Sequence, residues 1–245
     1  MKYKFAEPLI EGLIKSHPNR FIMLVEIAGK IKKCHCPSTG RIGNIVFEDI
    51  PCLLSQAKNP DRKTNFTVEA ISLDPPKKKS KQWLGTNHVK MNTYVEYFLK
   101  ESQFEKMISH GEKTRRERQL GNSRIDFQID KNFVEVKMLL INTPSRFDKL
   151  EKDKPKSKFD SFDRLIKHFE ELGKEIKKNK NRAIILICYQ YEAKPFERPK
   201  GNKTNSKIME ASRKSFKNGV ENWQANFKID SRGVTLINYF KLSIF

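Results

Sequence analysis

The clearest hydrophobic pattern in the chain is an alternation of apolar and polar residues between positions 123 and 138. The apolar face of a first strand consists of Ile125, Phe127 and Ile129. Its polar face consists of Arg124, Asp126, Gln128 and Asp130. A turn-forming Asp-Lys-Asn sequence follows, and the apolar face of a second strand consists of Val134, Val136 and Met138. The pattern predicts a β-hairpin that brings Glu135 and Lys137 beside Asp126.

Five short apolar runs in the first third of the chain predict strands. They occupy residues 21–28, 31–36, 44–47, 52–57 and 64–73. Five such strands in about 70 residues are typical of a small β-barrel such as an OB-fold. A proline- and lysine-rich segment at 74–81 follows them and reads as a linker or long loop. We therefore expect an all-β domain, OB-fold-like, over residues 1–85.

The remaining residues, 86–245, mix helical and strand patterns. Helices are predicted from about Asn92 to Gly111, along an apolar stripe between 159 and 176, and around 205–218. Strands are predicted at 114–120, at the continuous apolar run 183–191 and in a C-terminal pair from 222 onwards. This intermixing predicts an α/β domain.

The charge balance favours a polyanionic partner. The chain of 245 residues has 49 Lys and Arg against 29 Asp and Glu, a formal net charge of +20. We expect no membrane association, because no long apolar segment and no basic amphipathic helix is visible. Glu7 and Glu11 interrupt any apolar leader, so the sequence predicts a cytoplasmic location.

The four cysteines are too few and too scattered for a disulfide scaffold. Cys34-His35-Cys36 could form half of a zinc-binding site, but the sequence has no second Cys/His pair at the spacing of zinc ligands. The spacing favours buried structural thiols over a metal site.

The predicted cluster on the hairpin has the chemistry of a metal site. The carboxylates of Asp126 and Glu135 are ligands that Mg²⁺ prefers, together with water and phosphate oxygens. Lys137 can position a water molecule or neutralise developing charge. Glu117 is either a further ligand or an ordinary surface carboxylate. The simpler alternative for the whole arrangement is that Glu-x-Lys is the solvated face of an amphipathic strand. This Asp…Glu-x-Lys arrangement resembles the active site of the PD-(D/E)XK nuclease superfamily.

Other candidate site residues are less distinctive. His168 lies at the edge of a predicted helical stripe, which favours a packed or ligand-orienting histidine over a general base. Phe21 and Phe66 could stack on bases, although burial in the core is the simpler interpretation. The basic residues expected to contact phosphates are Arg20, Arg41, Arg62, Lys63 and Arg124.

Several strings together resemble the sugar fermentation stimulation protein A family. They are Pro18-Asn19-Arg20-Phe21, His35-Cys36-Pro37-Ser38-Thr39-Gly40-Arg41, Arg62-Lys63-Thr64, Ser123-Arg124-Ile125-Asp126-Phe127, Val134-Glu135-Val136-Lys137 and Lys167-His168 with Glu171-Leu172. The resemblance implies an N-terminal OB-fold joined to a C-terminal PD-(D/E)XK nuclease-like domain, DNA binding and a link to sugar (maltose) metabolism. The chain departs from the family pattern after Glu117, at Met138 and within residues 142–164.

Two functions follow from the residues and the resemblance. The first is a DNA-binding endonuclease that hydrolyses phosphodiester bonds with Mg²⁺ or Mn²⁺, acting on double-stranded DNA. The alternative is a DNA-binding transcriptional regulator of sugar metabolism that no longer cleaves. The charge is also compatible with RNA or a multi-protein assembly, and the sequence allows a homodimer.

Overall fold

The computed structural model describes residues 1–38, 42, 45–59, 61–109, 113–140, 162–197 and 205–243. In this part of the chain the strands form one sheet of six strands and one of seven. The helices, labelled like the strands in chain order, are α1 (Met91–Lys100), α2 (Phe162–Asn179) and α3 (Asn205–Lys217), and a 3-10 turn (His88–Lys90) precedes the first. None of the described helices is long and apolar enough to cross a membrane.

The six-stranded sheet curls into a barrel. Its strands are β2 (Ile10–Asn19), β3 (Ile22–Ile27), β4 (Lys30–His35), β5 (Ile50–Gln56), β6 (Phe66–Ser72) and β7 (Trp83–Gly85). They are ordered β4-β3-β2-β5-β6-β7, and an additional parallel pairing of His35 with Thr67 joins β4 to β6. This pairing closes five strands on themselves, which confirms the predicted OB-fold-like barrel.

Three strand assignments in the six-stranded sheet differ from the sequence prediction. The short strand β7 lies outside all five predicted strands. The pattern gave no strand at β2, whose residues are mostly exposed or half-buried and whose register with β3 is twice interrupted. Backbone pairing with β3 and β5 holds β2 in the sheet, and its side chains do not show the regular alternation of apolar and polar residues that would predict a strand. The predicted strand at 44–47 shows only an isolated bridge at Ile45 in its described residues. Ile45 is buried nonetheless, so the apolar run there reflects burial of a loop.

The four cysteines lie in the interior. Cys34, Cys36, Cys52 and Cys188 are all buried and form no disulfide. Burial raises the pKa of the Cys34 thiol to about 11, which keeps it protonated and unreactive.

The seven-stranded sheet has a mixed topology. Its strands are β1 (Tyr3–Lys4), β8 (Thr114–Leu120), β9 (Ser123–Ile129), β10 (Asn132–Met138), β11 (Ala183–Tyr189), β12 (Glu221–Asp230) and β13 (Gly233–Lys241). The order is β1-β13-β12-β11-β10-β9-β8, with β10, β11 and β12 parallel and the remaining pairs antiparallel. This confirms the α/β class and the predicted strand at 114–120.

Helices cover both faces of this sheet. Phe169 of α2 and Phe216 of α3 pack edge to face, with ring centroids 5.7 Å apart, in the same core cluster as Phe133 and Ile185. On the other face α1 packs its buried side chains against Phe127 and its neighbours. The central strand β11 is buried along its whole length for this reason.

The first helix is shorter than the sequence predicted. It ends after Lys100, where Ser102 adopts a left-handed φ of 55°, and residues 101–107 form turns. The other two predicted helices are confirmed where they are described. Helix α3 ends at Lys217, and Gly219, two residues later, has a left-handed φ of 101°.

The barrel and the seven-stranded sheet are joined closely. The N–H of Gly85, the last residue of β7, donates to the carbonyl oxygen of Gln190 at 3.3 Å. A Cβ at Gly85 would lie 1.9 Å from the Gln190 side-chain oxygen, so only glycine fits here. The predicted boundary at residue 85 falls between β7 and α1, but strand β1 pairs with β13 in the other sheet.

Candidate functional site

The candidate site lies where strands β9 and β10 part. Their antiparallel ladder runs from Asn132 opposite Ile129 to Val134 opposite Phe127. In that register the next pair is Asp126 opposite Glu135. No ladder pair forms at this level, because β10 continues alongside β11 as far as Met138 while β9 remains paired with β8. Two diverging strands therefore frame the site.

The two carboxylates occupy the fork between the strands. The Val136 N–H donates to Asp126 Oδ2 at 2.8 Å, and the Asp126 N–H lies 3.3 Å from Glu135 Oε2. Each carboxylate thus accepts a backbone N–H from the opposite strand, in place of the ladder hydrogen bonds lost where the strands separate. The period-two pattern correctly placed both residues on one side of the hairpin.

Glu135 is buried rather than solvated, with 1 % of its surface exposed. Helix α2 covers this face and contributes His168, which is 2 % exposed. Lys137 Nζ and His168 Nδ1 each lie 2.5 Å from Glu135 Oε1. The structure thereby excludes the interpretation of Glu-x-Lys as the solvated face of an amphipathic strand.

The contacts of His168 favour a hydrogen on Nδ1. Nδ1 lies 3.5 Å from Lys137 Nζ, but an ammonium has only donors, whereas the closer Glu135 oxygen is an acceptor. We therefore assign the tautomer in which Nδ1–H donates to Glu135. His168 therefore contacts and stabilises the Glu135 carboxylate, and it is buried, as the interpretation of a packed histidine predicted.

The two carboxylates have opposite pKa shifts. Burial raises the pKa of Glu135, but the hydrogen bond from His168 and the charge of Lys137 outweigh burial and bring it below its ordinary value. Burial and the nearby Glu135 carboxylate raise the pKa of Asp126 above its ordinary value, against the opposing effect of its hydrogen bonds. The site therefore holds one firmly ionised carboxylate beside one that is harder to ionise.

Asn92 is a site residue that sequence reasoning missed. Its side-chain amide donates to Asp126 Oδ1 at 2.7 Å from the first turn of α1. The sequence placed the start of a helix at about this residue, and in the structure Asn92 lies inside α1, whose N-cap is Lys90. Asn92 and Asp126 are 34 positions apart in the sequence, so the contact becomes visible only when α1 is seen to pack on the sheet.

Glu117 does not join the two carboxylates. The β8–β9 register places its backbone level with Asp126, but Glu117 has a left-handed φ of 52° and its carboxylate pairs with Arg124 at 3.3 Å. Across the residues that the structure describes, no group of three or more His, Cys, Asp or Glu side chains is arranged to hold a metal ion. The site thus presents two carboxylates, Asp126 and Glu135.

This donor set fits a magnesium-type ion. Mg²⁺ is commonly held by one or two carboxylates, with water and substrate phosphate oxygens completing its coordination. Asp126 and Glu135 supply hard oxygen ligands at adjacent positions of two strands. Both Asp126 oxygens and Glu135 Oε2 accept one protein hydrogen bond each and retain a lone pair, whereas Glu135 Oε1 already accepts from Lys137 and His168. The residues present therefore meet the minimum requirement for such an ion.

The predicted phosphate-contacting residues are spread over the molecule. Arg124 is exposed on β9, two residues from Asp126. Arg62 and Lys63 are exposed in the loop after β5. Arg20 is exposed at the β2–β3 turn, with its guanidinium 4.6 Å from the ring centroid of Phe21. Arg41 lies outside the described residues.

The fold and the site define a two-part protein, in which an OB-type barrel is joined to an α/β sheet that carries an Asp, Glu and Lys cluster. Residues 16–84 match the model of the SfsA N-terminal OB domain. A sugar fermentation stimulation protein homolog of Methanobrevibacter smithii is 30% identical over 200 residues, which are 75% of this chain and 76% of that one. A homolog of the same name from Clostridium novyi is 30% identical over 212 residues, 83% of this chain and 84% of the other. The chain belongs to the sugar fermentation stimulation protein (SfsA) family.

A solved structure shares the whole fold. The structure of Pyrococcus furiosus SfsA in complex with Ca²⁺ superimposes with a TM-score of 0.71 and covers 100% of both chains at 18% sequence identity. The arrangement of barrel and α/β sheet is therefore that of the family.

Proposed function

We propose that this protein binds DNA and hydrolyses phosphodiester bonds at a divalent-metal site formed by Asp126 and Glu135. The observation that supports this most is the buried Glu135 carboxylate, held 2.5 Å from both Lys137 and His168 and adjacent to Asp126. Burying a carboxylate costs free energy unless its charge is paired. Buried carboxylates with specific charge partners cluster at functional sites, which is why this one supports the proposal.

A divalent cation held by Asp126 and Glu135 would polarise the phosphodiester and lower the pKa of a bound water. His168 keeps the Glu135 carboxylate ionised and fixes its orientation. The Lys137 side chain is 27 % exposed, so its ammonium can reach a phosphate oxygen while staying bonded to Glu135. In the hydrolysis, water forms a new bond to phosphorus, one P–O ester bond breaks, and the leaving oxygen acquires a proton.

The choice of DNA rests on charge and family. A net charge of +20 favours a polyanion and predicts affinity that falls steeply with salt concentration. The P. furiosus relative was solved in complex with Ca²⁺, another hard cation that takes oxygen ligands. The charge supports a polyanionic substrate and the relative's Ca²⁺ supports a divalent cation. We propose Mg²⁺ or Mn²⁺ as the working ion and double-stranded DNA as the substrate, in a cytoplasmic setting.

The direct test is a titration of Mg²⁺ or Mn²⁺ into protein and supercoiled plasmid, with Glu135→Gln compared with the wild type. Glu135→Gln keeps the size of the side chain but removes its charge, so metal-dependent nicking should fall by at least about 100-fold, a typical loss for a residue that supports a catalytic charge. As a matched control, Glu175→Gln changes a carboxylate on α2 that accepts hydrogen bonds from the side chains of Asn179 and Asn181. Equal nicking by Glu135→Gln and the wild type would rule out this site.

A second candidate function is a DNA-binding regulator that does not cleave. It is favoured by the hydrogen bonds that already engage both oxygens of each carboxylate, from Lys137, His168, Asn92 and two backbone N–H groups. The relatives' name, sugar fermentation stimulation protein, also fits such a role. DNA binding that does not respond to metal or to Glu135→Gln, without nicking by either protein, would select this function.

A further inference from the structure

A groove of about 880 Å³ runs between the barrel and the chain segment that precedes β2. One wall is formed by residues 3–10, and the other by the ends of β5 and β6 and the loop after β5. The groove is separate from the Asp126 and Glu135 cluster, and none of the residues assigned above to catalysis lines it. Its volume is within the range of cavities that enclose small ligands.

The floor of the groove contains a buried ionised cluster. Glu69 is 1 % exposed and sits at a bulge in β6, where the register with β5 shifts between Leu53 and Leu54. Its carboxylate accepts hydrogen bonds from the Ser55 hydroxyl at 2.5 Å, the Asn87 amide at 2.8 Å and Lys90 Nζ at 2.6 Å. The bulge thus directs the Glu69 carboxylate into the groove, where its bond to Lys90 fixes the position of the ammonium.

Phe5 gives this groove an aromatic ring, and the cation beside it, Lys90, is paired with Glu69, while a second carboxylate, Glu7, also lines the groove. The Lys90 side chain is 40 % exposed, and its ammonium lies 6.0 Å from the ring centroid of the half-buried Phe5. Two further cations, Lys58 and Arg62, line the groove and are exposed. Asn87 also lines the groove, and its buried side-chain oxygen has no hydrogen-bond partner among the residues that the structure describes.

We infer that this groove binds one or two unpaired nucleotides of a DNA strand, with a base against Phe5 and phosphates at Lys58, Arg62 and Lys90. A groove that combines cations with an aromatic ring is the general design of single-strand binding sites, because every base has a face to stack and every nucleotide a phosphate. A DNA duplex is too wide to enter a cavity of this volume, whereas one or two nucleotides splayed out of a duplex can enter it.

The groove and the candidate active site use neighbouring residues of the chain. Lys90, which lines the groove, is the N-cap of α1, and Asn92, which donates to Asp126, lies two residues further along. The inference rests on the proposed DNA-binding function and adds that the bound DNA has an unpaired segment.

The test measures binding alone, in EDTA, by fluorescence anisotropy of a labelled oligothymidylate and of a duplex of the same length. The groove variant is Lys58→Glu with Arg62→Glu, and the matched control is Lys177→Glu with Lys178→Glu, two exposed lysines in the last turn of α2. Both double variants change the net charge equally. We expect the groove variant to bind the single strand about tenfold more weakly than the control variant does, while the two bind duplex alike. Phe5→Leu should weaken single-strand binding about fivefold or more without altering charge.

Equal single-strand affinities of the groove and control variants would overturn the inference, as would an equal loss of duplex and single-strand binding in the groove variant. Because cleavage cannot occur in EDTA, these results are independent of the hydrolytic site. A protein that binds single strands through the groove but never nicks plasmid would retain this inference and refute the proposed hydrolysis. If the protein nicks plasmid and its groove variant binds the single strand as tightly as the control variant does, the inference is refuted and the proposed hydrolysis is retained.

Discussion

His168 Nδ1 and Glu135 Oε1 approach to 2.5 Å, although the two residues are 33 positions apart and lie on a helix and a strand. Both side chains are almost completely buried. A buried carboxylate that loses a donor bears its desolvation cost without compensation. The contact therefore ties the position of α2 to the geometry of the site.

Replacing His168 tests this relationship. His168→Ala should lower the free energy of unfolding by about 1–3 kcal/mol, because it leaves Glu135 with Lys137 as its remaining side-chain partner. His168→Asn, whose amide can donate from nearly the position of Nδ1, should recover part of the loss. Urea unfolding measures both, with Lys174→Ala as a control on the exposed face of the same helix. A fully stable His168→Ala protein that still nicks plasmid at the normal rate would contradict the orienting role.

Removing the charge of Asp126 should stabilise the metal-free protein. Burial and the neighbouring Glu135 both disfavour ionised Asp126, so Asp126→Asn should raise the free energy of unfolding by about 0.5–2 kcal/mol. The new amide can still accept the Val136 N–H, while Asn92 rotates its own amide to accept from it. Urea unfolding in EDTA measures the change, and plasmid nicking should be lost in the same variant. A marked destabilisation would show that the hydrogen bonds outweigh the repulsion.

The close contact of barrel and sheet at Gly85 predicts a steric penalty. Gly85→Ala should destabilise the protein by about 1–3 kcal/mol, because the new methyl group overlaps the buried Gln190 side chain. Combining it with Gln190→Ala removes the two nearest atoms and should recover part of the loss. A double-mutant cycle followed by thermal unfolding gives the coupling directly. Additive effects of the two substitutions would argue against the overlap.

The ion pair of Lys2 with Asp230 predicts a pH dependence of stability. Lys2 Nζ lies 2.7 Å from an Asp230 oxygen. Burial opposes ionisation of Asp230, but the Lys2 bond and the N–H groups of Arg232 and Gly233 outweigh it and lower its pKa below the ordinary 3.8. A lowered carboxyl pKa stabilises the fold above 3.8, and this contribution disappears as the pH falls through the lower, folded-state value.

Lys2→Met should therefore cost about 0.5 kcal/mol at pH 7, a small value because both groups are partly exposed and screened by solvent. The difference from the wild type should shrink once Asp230 becomes protonated below pH 3.8. Urea unfolding at several pH values measures it, with Lys4→Met, an exposed neighbour on β1, as the control. A difference that stays constant with pH would exclude the ion pair as its cause.

The sequence predicted the hairpin of the site well because its information is local. Ile125, Phe127 and Val134 are fully buried, as the alternation required, and Asp126 and Glu135 meet on one side. What it could not predict was the cover supplied by distant helices. Nothing near Glu135 in the sequence indicates that α2 buries it.

The same distinction explains the errors in the barrel and at the edge of the site. Residues 44–47 have the apolar composition of a strand, but composition does not distinguish a buried loop from a strand. Glu117 was placed correctly beside the hairpin, yet its left-handed backbone and its pairing with Arg124 depend on local geometry that a residue pattern does not encode. Asn92 marked only the start of a predicted helix, because nothing in the sequence joins it to Asp126.

The pairing of β1 with β13 changes how the two parts of the molecule are connected. The polypeptide enters the seven-stranded sheet at β1, leaves it to build the barrel, and returns to it at β8. In topological terms the barrel is an insertion within the α/β domain, attached by two crossings of the chain. Such an attachment resists rotation about a single hinge, and a proteolytic cut between β7 and α1 would leave the two fragments bound together through the paired strands.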